Sequence, residues 1–394
     1  MSTTVLIIGA NFVNKGAQSM LFTTISAIRQ KYPNTRIIFG HSKNTSVLDE
    51  NFNFEEAYFN SSEIDISNGA AKPLNNSRNS TKMLNLIENV DFMIDISGFS
   101  LGKKWGIGSA RRYMNNIALA KLYDIPIILM PQSFGSFDFG NHQAEIDDLM
   151  TKYMPYPVRI FAREHEGFDY LLNDYKLPNV KWHPDLVLCS QQLDLHDIYK
   201  KVPVFSVPKI EEENCVAVIP NIRSFDHGQP MQTLQIFYEV VKFLLNENKR
   251  IYLMRHSFED IVPCRWIKAL FPEDSRVVLW ENDFSCFEYD EVCKQFEFLV
   301  VGRFHGIVHA YRNNIPCILL GWAIKYRELA QLMYQNQYIF DITTPNFEIK
   351  QVLEAIRDMK INLKFNKNIL KERLSQIQAM NTCFSEVLQI INKI

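Results

Sequence analysis

Short apolar runs rich in Val, Ile and Phe alternate along this sequence with longer stretches in which apolar residues recur every three to four positions. A brief apolar run bounded by turn-formers is the signature of a strand buried on both faces. The three-to-four spacing is that of a helix with one buried face. Residues 5–9 form the first run, and 17–32 follow as a helix with Leu21, Ile25 and Ile28 on one side. Runs at 36–40, 91–96, 126–130, 159–162 and 180–182 are further strands, with helices expected over 109–123 and 142–154. Residues 60–82 are polar, rich in Ser and Asn and without period, and are expected to form a mobile surface loop.

The pattern lapses between 189 and 214, where Val202-Pro203, Val207-Pro208 and Glu211-Glu212-Glu213 read as a connection between domains. It then restarts, with strands at 215–219, 250–254, 277–280, 298–301, 316–320 and 338–342 and helices at 231–248, 263–271, 304–313 and 326–334. Alternation of this kind implies βαβ units and parallel sheets covered on both faces. The expectation is an α/β chain of two doubly wound, Rossmann-like domains facing a central cleft. The first domain spans 1–190, a linker 191–213 and the second domain 214–365; a helical segment, 366–394, could pack back on the first domain. In such sheets ligands bind beyond the carboxyl ends of the strands, where the strand order reverses.

Composition changes this picture in few places. At 394 residues, 47% hydrophobic and 22% charged, the chain has material for two sizeable cores. Its 15 Gly and 16 Pro exclude collagen-like and low-complexity classes. The 28 Phe, 16 Tyr and 5 Trp suit cores, a carbohydrate-stacking surface, or both. With 42 Lys and Arg against 44 Asp and Glu the net charge is −2, so no basic field exists to hold nucleic acid. Seven cysteines (Cys189, Cys215, Cys264, Cys286, Cys293, Cys317 and Cys383) are dispersed and never spaced C-x-x-C. That argues for reduced thiols filling cores in a cytoplasmic protein, not for a zinc site or a disulfide framework. No basic n-region precedes the first strand and no apolar stretch approaches a membrane span, so neither a signal peptide nor a spanning helix is expected; peripheral membrane association stays open.

Candidate chemistry lies in the loops after the strands. Gly9-Ala10-Asn11-Phe12-Val13-Asn14-Lys15-Gly16-Ala17 is a Gly-containing turn into a helix N-terminus, suited as much to an anion as to its own capping. It is neither G-x-G-x-x-G nor a P-loop. Asp95 and Ile96 lead into Ser97-Gly98-Phe99-Ser100, and Gln132-Ser133, Arg163-Glu164 and His183-Pro184-Asp185 end the next runs. Arg163-Glu164 by itself reads as a local ion pair, but four polar clusters at consecutive strand ends would converge on one edge.

The second half is sharper. Arg223 follows the strand at 215–219, His256 follows 250–254, and Gly302-Arg303-Phe304-His305-Gly306 opens a helix after 298–301; Lys325 lies beyond 316–320. Cationic and titratable groups around a helix N-terminus make a receptor for phosphate or carboxylate. The alternative is that Arg303 and His305 only cap and pair with nearby Asp or Glu. His305-x-x-x-His309 has a ligand-like spacing but no third partner, His309 reads as packed within the helix, and no metal site is expected. The H-E-x-x-H motif is absent from the sequence, and Gly98-Phe99-Ser100-Leu101-Gly102, although spaced G-x-S-x-G, is not read as a nucleophile elbow.

These segments together resemble the polysaccharide pyruvyl transferase family, whose members are similar in fold to GT-B glycosyltransferases. The resemblance runs through most of the chain: Asn14-Lys15-Gly16-Ala17, Ser97-Gly98-Phe99, Pro131-Gln132-Ser133-Phe134-Gly135, Arg163-Glu164 and His183-Pro184-Asp185. It is most specific at Gly302-Arg303-Phe304-His305-Gly306 with Ile315-Pro316 and Lys325 downstream. Ala17 stands where the family's first loop carries Asp, and Ser-Gly-Phe-Ser with Lys103 and Lys104 replaces a richer glycine run.

The resemblance implies phosphoenolpyruvate as co-substrate, with no other cofactor. The acceptor would be a sugar, free or on a lipid-linked oligosaccharide, with two hydroxyls that become a pyruvate ketal. It implies His305 as the acid that protonates the vinyl carbon, with His256 as the alternative. Arg303 and Arg223 would orient the donor, with His256, Lys325, Gly302 and Gly306 around it. Asn11, Lys15, Gly16, Asp95, Ser97, Gly98, Gln132, Ser133, Arg163, Glu164 and Asp185 fall to the acceptor side, with Asp95 or Glu164 as the base. A nucleotide-sugar glycosyltransferase of the GT-B class and a non-catalytic glycan-binding module are the two rival readings.

Overall fold

The computed structural model of the chain describes residues 3–42, 50–67, 69–74, 77–191 and 193–393. Two compact units divide it: Met1–Phe12, Ala17–Pro203 and Met380–Ile394 form the first, and Val13–Gly16 with Val204–Ala379 the second.

In the first unit the strands are β1 (Thr4–Ile8), β2 (Arg36–His41), β3 (Glu55–Tyr58), β4 (Ile64–Ser67), β5 (Ala70–Pro73), β6 (Phe92–Asp95), β7 (Ile127–Gln132), β8 (Arg159–Ala162) and β9 (Val180–Trp182). Among the described residues seven of them make one parallel sheet in the order β3-β2-β1-β6-β7-β8-β9. β1 reads TVLII and is buried at every position, which a strand covered by helices on both faces requires. The strand order reverses between β1 and β6, so the turns after these two strands flank the crevice of this sheet. Gly9 (φ +92°) ends β1, and a Cβ there would lie 2.4 Å from Ser97 Oγ, so the two turns can close on each other only at a glycine.

Residues 60–82 depart from the expected loop. Asn60 caps a short turn at Ser61–Glu63, β4 and β5 pair as an antiparallel hairpin, and a helix runs over Arg78–Ile87; positions 68, 75 and 76 lie outside the described residues. The stretch looked aperiodic because, among its described residues, Ile64 is the one apolar side chain that goes fully inside, with Met83 and Ile87 following just beyond it, too few to show a period.

In the second unit β10 (Cys215–Ile219), β11 (Arg250–Met254), β12 (Val277–Trp280), β13 (Leu299–Val301), β14 (Cys317–Gly321) and β15 (Ile339–Asp341) form a parallel sheet in the order β12-β11-β10-β13-β14-β15. β10, β13 and β14 are buried throughout. Fully burying an aliphatic side chain stabilises by about 1.5–3 kcal/mol, so these central strands anchor the unit. The reversal falls between β10 and β13, which points to the turns at Asn221–Arg223 and Gly302–His305.

The connection expected over 191–213 is divided between the units: Ile198 and Tyr199 are buried in the first, and the Ile210 amide donates to Gln295 Oε1 in the second. The C-terminal segment is two helices, Leu363–Ala379 in the second unit and Cys383–Ile391 in the first. There Glu386 pairs with Arg159 and Lys181 at 2.6 Å each, and the Cys383 amide donates to His183 Nε2. All seven cysteines are buried free thiols. No helix among the described residues is long and apolar enough to cross a membrane.

Candidate functional site

Val13–Gly16 precedes the strands of the second unit by some two hundred positions, yet it belongs to that unit and builds one wall of its site. The amide of Phe258 donates to the Val13 carbonyl at 3.0 Å, Ser257 Oγ donates to the same oxygen at 3.3 Å, and the Lys15 amide donates to the His256 carbonyl. Asn14 Oδ1 accepts from the Gly16 amide at 2.9 Å and fixes the turn. Lys15 and Gly16, expected on the acceptor side of the first domain, therefore sit beside His256 and His305, which were expected on the donor side. Lys15 is buried, and its Nζ meets Asp283 Oδ1 at 2.6 Å.

His305 stands in the first turn of the helix Phe304–Arg312, directly against this wall. A Cβ on Gly16 would fall 2.1 Å from His305 Cγ, so the imidazole occupies the space a side chain at 16 would need. Gly16→Ala is expected to displace His305. The prediction is a loss of turnover larger than the loss of thermal stability, checked by kinetics and a melting curve on the same preparation.

Arg303, two residues back, is the hub of the site's charge. Its Nε donates to Asp260 Oδ2 at 2.7 Å and its Nη2 to Asp260 Oδ1 at 2.6 Å and Glu259 Oε1 at 2.9 Å. Asp260 has no exposure and also accepts from the amides of Ile222 and Ser257. Burial alone would loosen the Arg303 proton, but the Asp260 and Glu259 carboxylates hold it more firmly than usual. Arg303 is thus not an open cation: its fork ties the turn after β13 to the turn after β11.

Arg223 follows the N-cap Asn221 and is half-exposed, with Nη1 donating to Asp226 at 2.8 Å and Nη2 3.7 Å from Glu259. Lys325 lies over the rings of Phe304, Trp322 and Tyr326 at 5.4–5.9 Å. Gly302 and Gly306 serve packing. A Cβ at 302 would press on Asn221 at 3.0 Å, and one at 306 on Val301 at 2.9 Å. The Gly302 carbonyl accepts from Asn221 and from the Tyr326 hydroxyl.

His256 corrects the expectation that it could stand in as the acid. It is fully buried, and burial first, then the neighbouring His309, His305, Arg303 and Lys15, push its imidazole well below its ordinary range. A ring held neutral cannot deliver a proton as an imidazolium near pH 7. The unfolded chain binds this proton below about pH 6.5 and the folded chain does not, so stability falls as pH drops through that point, by roughly 1.4 kcal/mol per unit. Denaturant titrations across that window are expected to show a flatter pH dependence for His256→Phe than for the parent.

The first unit's strand ends carry a different kind of cluster. Arg163 donates through Nε to Glu164 at 3.0 Å, through Nη1 to Asp185 at 2.8 Å and through Nη2 to Ser133 Oγ at 2.7 Å, while Ser133 Oγ donates to Glu164. Side-chain exposures of 4%, 3% and 1% for Arg163, Glu164 and Asp185 leave them no route to a ligand in this conformation. Asp185 also caps the helix Leu186–Cys189. Asp95 is equally buried; it accepts from the Ser97 amide at 2.8 Å, and burial pushes its carboxyl up. Neither carboxylate expected to be the base reaches solvent. Gln132, also buried, accepts from the Tyr113 hydroxyl, and Gly98 (φ +69°) packs on Met20. Asn11 and Ser97 remain half-buried at the crevice of this sheet.

Sequence reasoning did not find Asp260, Glu259 or Asp283, which set the charge of the second unit's site. The Ser257-Phe258-Glu259-Asp260 stretch carries a readable signal, the S-x-x-D form of a capping box, here satisfied in both directions. Among the described residues no group of three or more His, Cys, Asp or Glu side chains is placed to hold a metal.

No curated protein matches the sequence. Solved structures do: S. aureus MnaA with UDP is 11% identical, with a TM-score of 0.59 over 99% of this chain and 96% of that one. A putative UDP-N-acetylglucosamine 2-epimerase from Listeria monocytogenes is 10% identical, with a TM-score of 0.58 over 100% and 96%. The Neisseria meningitidis UDP-GlcNAc 2-epimerase bound to UDP-GlcNAc is 9% identical, with a TM-score of 0.56 over the whole of both chains. At these identities the likeness is one of fold, two Rossmann-like domains of the GT-B kind. The profile of the polysaccharide pyruvyl transferase family matches residues 14–323. That span opens on the Asn14-Lys15-Gly16 turn and takes in the Arg303-x-His305 segment packed against it, and the chain belongs to the polysaccharide pyruvyl transferase family.

Proposed function

We propose that this transferase moves the enolpyruvyl group of phosphoenolpyruvate onto a sugar of a cell-surface polysaccharide or its lipid-linked precursor, in the cytoplasm, to form a pyruvate ketal. The observation that supports it most is the meeting of Gly16 with His305, with Lys15 and Arg303 next to them along the chain, Lys325 over the Phe304 ring and Arg223 sharing Glu259 with Arg303. Phosphoenolpyruvate carries a phosphate and a carboxylate, and cations of this kind would orient both. His305 gives its ring proton to the terminal vinyl carbon, leaving the adjacent carbon as an oxocarbenium-like centre. One sugar hydroxyl adds to that centre and a second displaces phosphate, so the two hydroxyl protons end on the ring nitrogen and the departing phosphate.

Each of Lys15, Arg223 and Arg303 touches a carboxylate, so the donor would compete with Asp283, Asp226, Glu259 and Asp260. Arg303, with its Asp260 pairing, would hold the loop in register while Lys15, Arg223 and Lys325 receive the donor. The acceptor is assigned to the first unit, through Asn11 and Ser97 rather than through the buried Arg163 network.

The test is acceptor-dependent release of inorganic phosphate from phosphoenolpyruvate across a panel of free and lipid-linked oligosaccharides, with the ketal methyl group read by NMR. Transfer from a UDP-sugar with none from phosphoenolpyruvate would give the protein to the glycosyltransferase class instead.

A further inference from the structure

The last helix of the second unit carries a face that the reaction proposed above does not use. Residues 359–371 read MKINLKFNKNILK, with Lys360, Lys364, Lys367 and Lys371 and no Asp or Glu. In a chain whose net charge is −2 this is a local excess of four positive charges. Lys360 and Ile361 end the helix Ile349–Ile361, and the rest of the run lies in the helix Leu363–Ala379. There Lys364, Lys367 and Lys371 stand three and seven positions apart, along one flank.

The inward side of this helix is fixed by its packing. Asn366, Leu370, Leu374 and Ile377 are buried, a stripe at helical spacing. Asn366 Nδ2 donates to the Tyr338 hydroxyl at 2.8 Å, and its Oδ1 accepts from Gln335 Nε2 at 3.3 Å. The opposite side is thereby turned out. It carries Phe365, 62% exposed, and Ile361 just before it is 82% exposed. A single exposed apolar side chain is ordinary. An uncovered Ile and Phe set among lysines have the composition of a helix that lies in a membrane interface. Lys360 donates to Glu247, but among the described residues no carboxylate pairs with Lys364, Lys367 or Lys371. Lys364 and Lys371 are exposed and Lys367 is half-buried. Asp358 before the run is engaged by the Tyr338 hydroxyl and Asn362, and Glu372 follows it.

We propose that this face docks the protein on an anionic lipid bilayer. Lys364, Lys367 and Lys371 reach the phosphate headgroups, and Ile361 and Phe365 enter the boundary with the acyl chains. Both halves of the face select this occupant. A nucleic acid would use the lysines and leave Ile361 and Phe365 in water. A second copy of the same face would bring like charges together. The inference goes beyond the donor-site reading and does not depend on it. Where that reading holds, docking would bring the second unit to the surface on which a lipid-linked acceptor is carried.

The test sediments the full-length protein with vesicles of equimolar phosphatidylcholine and phosphatidylglycerol, and with vesicles of phosphatidylcholine alone. Binding to the anionic vesicles is expected to be at least about tenfold stronger, and to weaken as salt is raised. Ile361→Ser with Phe365→Ser, and Lys364→Glu with Lys371→Glu, should each weaken it about tenfold or more. All four side chains are exposed, so both variants should melt as the parent does. No vesicle binding, or binding that either variant retains, would overturn the proposal. Binding lost only in the lysine variant and matched by duplex DNA would make the face a general polyanion surface instead. Self-association of the parent without vesicle binding, abolished by Ile361→Ser with Phe365→Ser, would make it a contact between copies. No substrate enters the assay, so docking and pyruvyl transfer stand or fall separately.

Discussion

Replacing His305 by alanine is expected to lower kcat for phosphoenolpyruvate-dependent transfer by about 10²–10⁴-fold, the usual contribution of a positioned general acid. The ring sits where Gly16 permits it, in the first turn of the helix Phe304–Arg312. His256, the other imidazole near the donor residues, is fully buried and held neutral, so it cannot take over. In the function proposed above the donor is held by Lys15, Arg223 and Lys325, so KM for phosphoenolpyruvate should change little. Single-turnover and steady-state rates on the variant check this, and activity within threefold of the parent would remove His305 from the acid's role.

Arg163→Ala is expected to destabilise the first unit by about 3–5 kcal/mol, a large share of the roughly 5–15 kcal/mol that holds a domain folded. The reason is what stays behind. Glu164 and Asp185 would remain buried with no countercharge, and Ser133 would lose the guanidinium it accepts from. Chemical denaturation followed by a probe in the first unit measures it. A loss below about 1 kcal/mol would mean that water reaches the two carboxylates once the guanidinium is gone.

The strands and the order of the elements were legible because each central strand is buried on both faces and therefore uniformly apolar: TVLII at β1, CVAVI at β10. The place of Arg303 and His305 was legible for a similar reason, since a buried apolar run that ends in a polar pair at a helix start presents that pair at the edge of the sheet. The hairpin at β4 and β5 was not legible, because its pairing is antiparallel, short and half-exposed and leaves no buried stripe. The docking of Val13–Gly16 with the second unit escaped as well. Nothing local to Asn14-Lys15-Gly16 announces that its partners are His256, Asp283 and His305. The carboxylates that neutralise the cations were missed because an Asp or Glu on a polar stretch reads as solvated surface. Only the sheet topology, which brings the turn after β11 to the turn after β13, turns Asp260 inward.

Binding of phosphoenolpyruvate is where the functional reading stands or falls, and a thermal-shift titration of the protein as it exists, with phosphoenolpyruvate, inorganic phosphate and UDP-GlcNAc in parallel, measures it without knowing the acceptor. A ligand that binds the folded state at a hundredfold excess over Kd stabilises it by about 2.7 kcal/mol, so the melting temperature must rise. The expected result is a rise with phosphoenolpyruvate that exceeds the rise with phosphate and is lost in Arg223→Ala combined with Lys325→Ala. A rise with UDP-GlcNAc and none with phosphoenolpyruvate would contradict the pyruvyl donor site and make the protein a nucleotide-sugar enzyme.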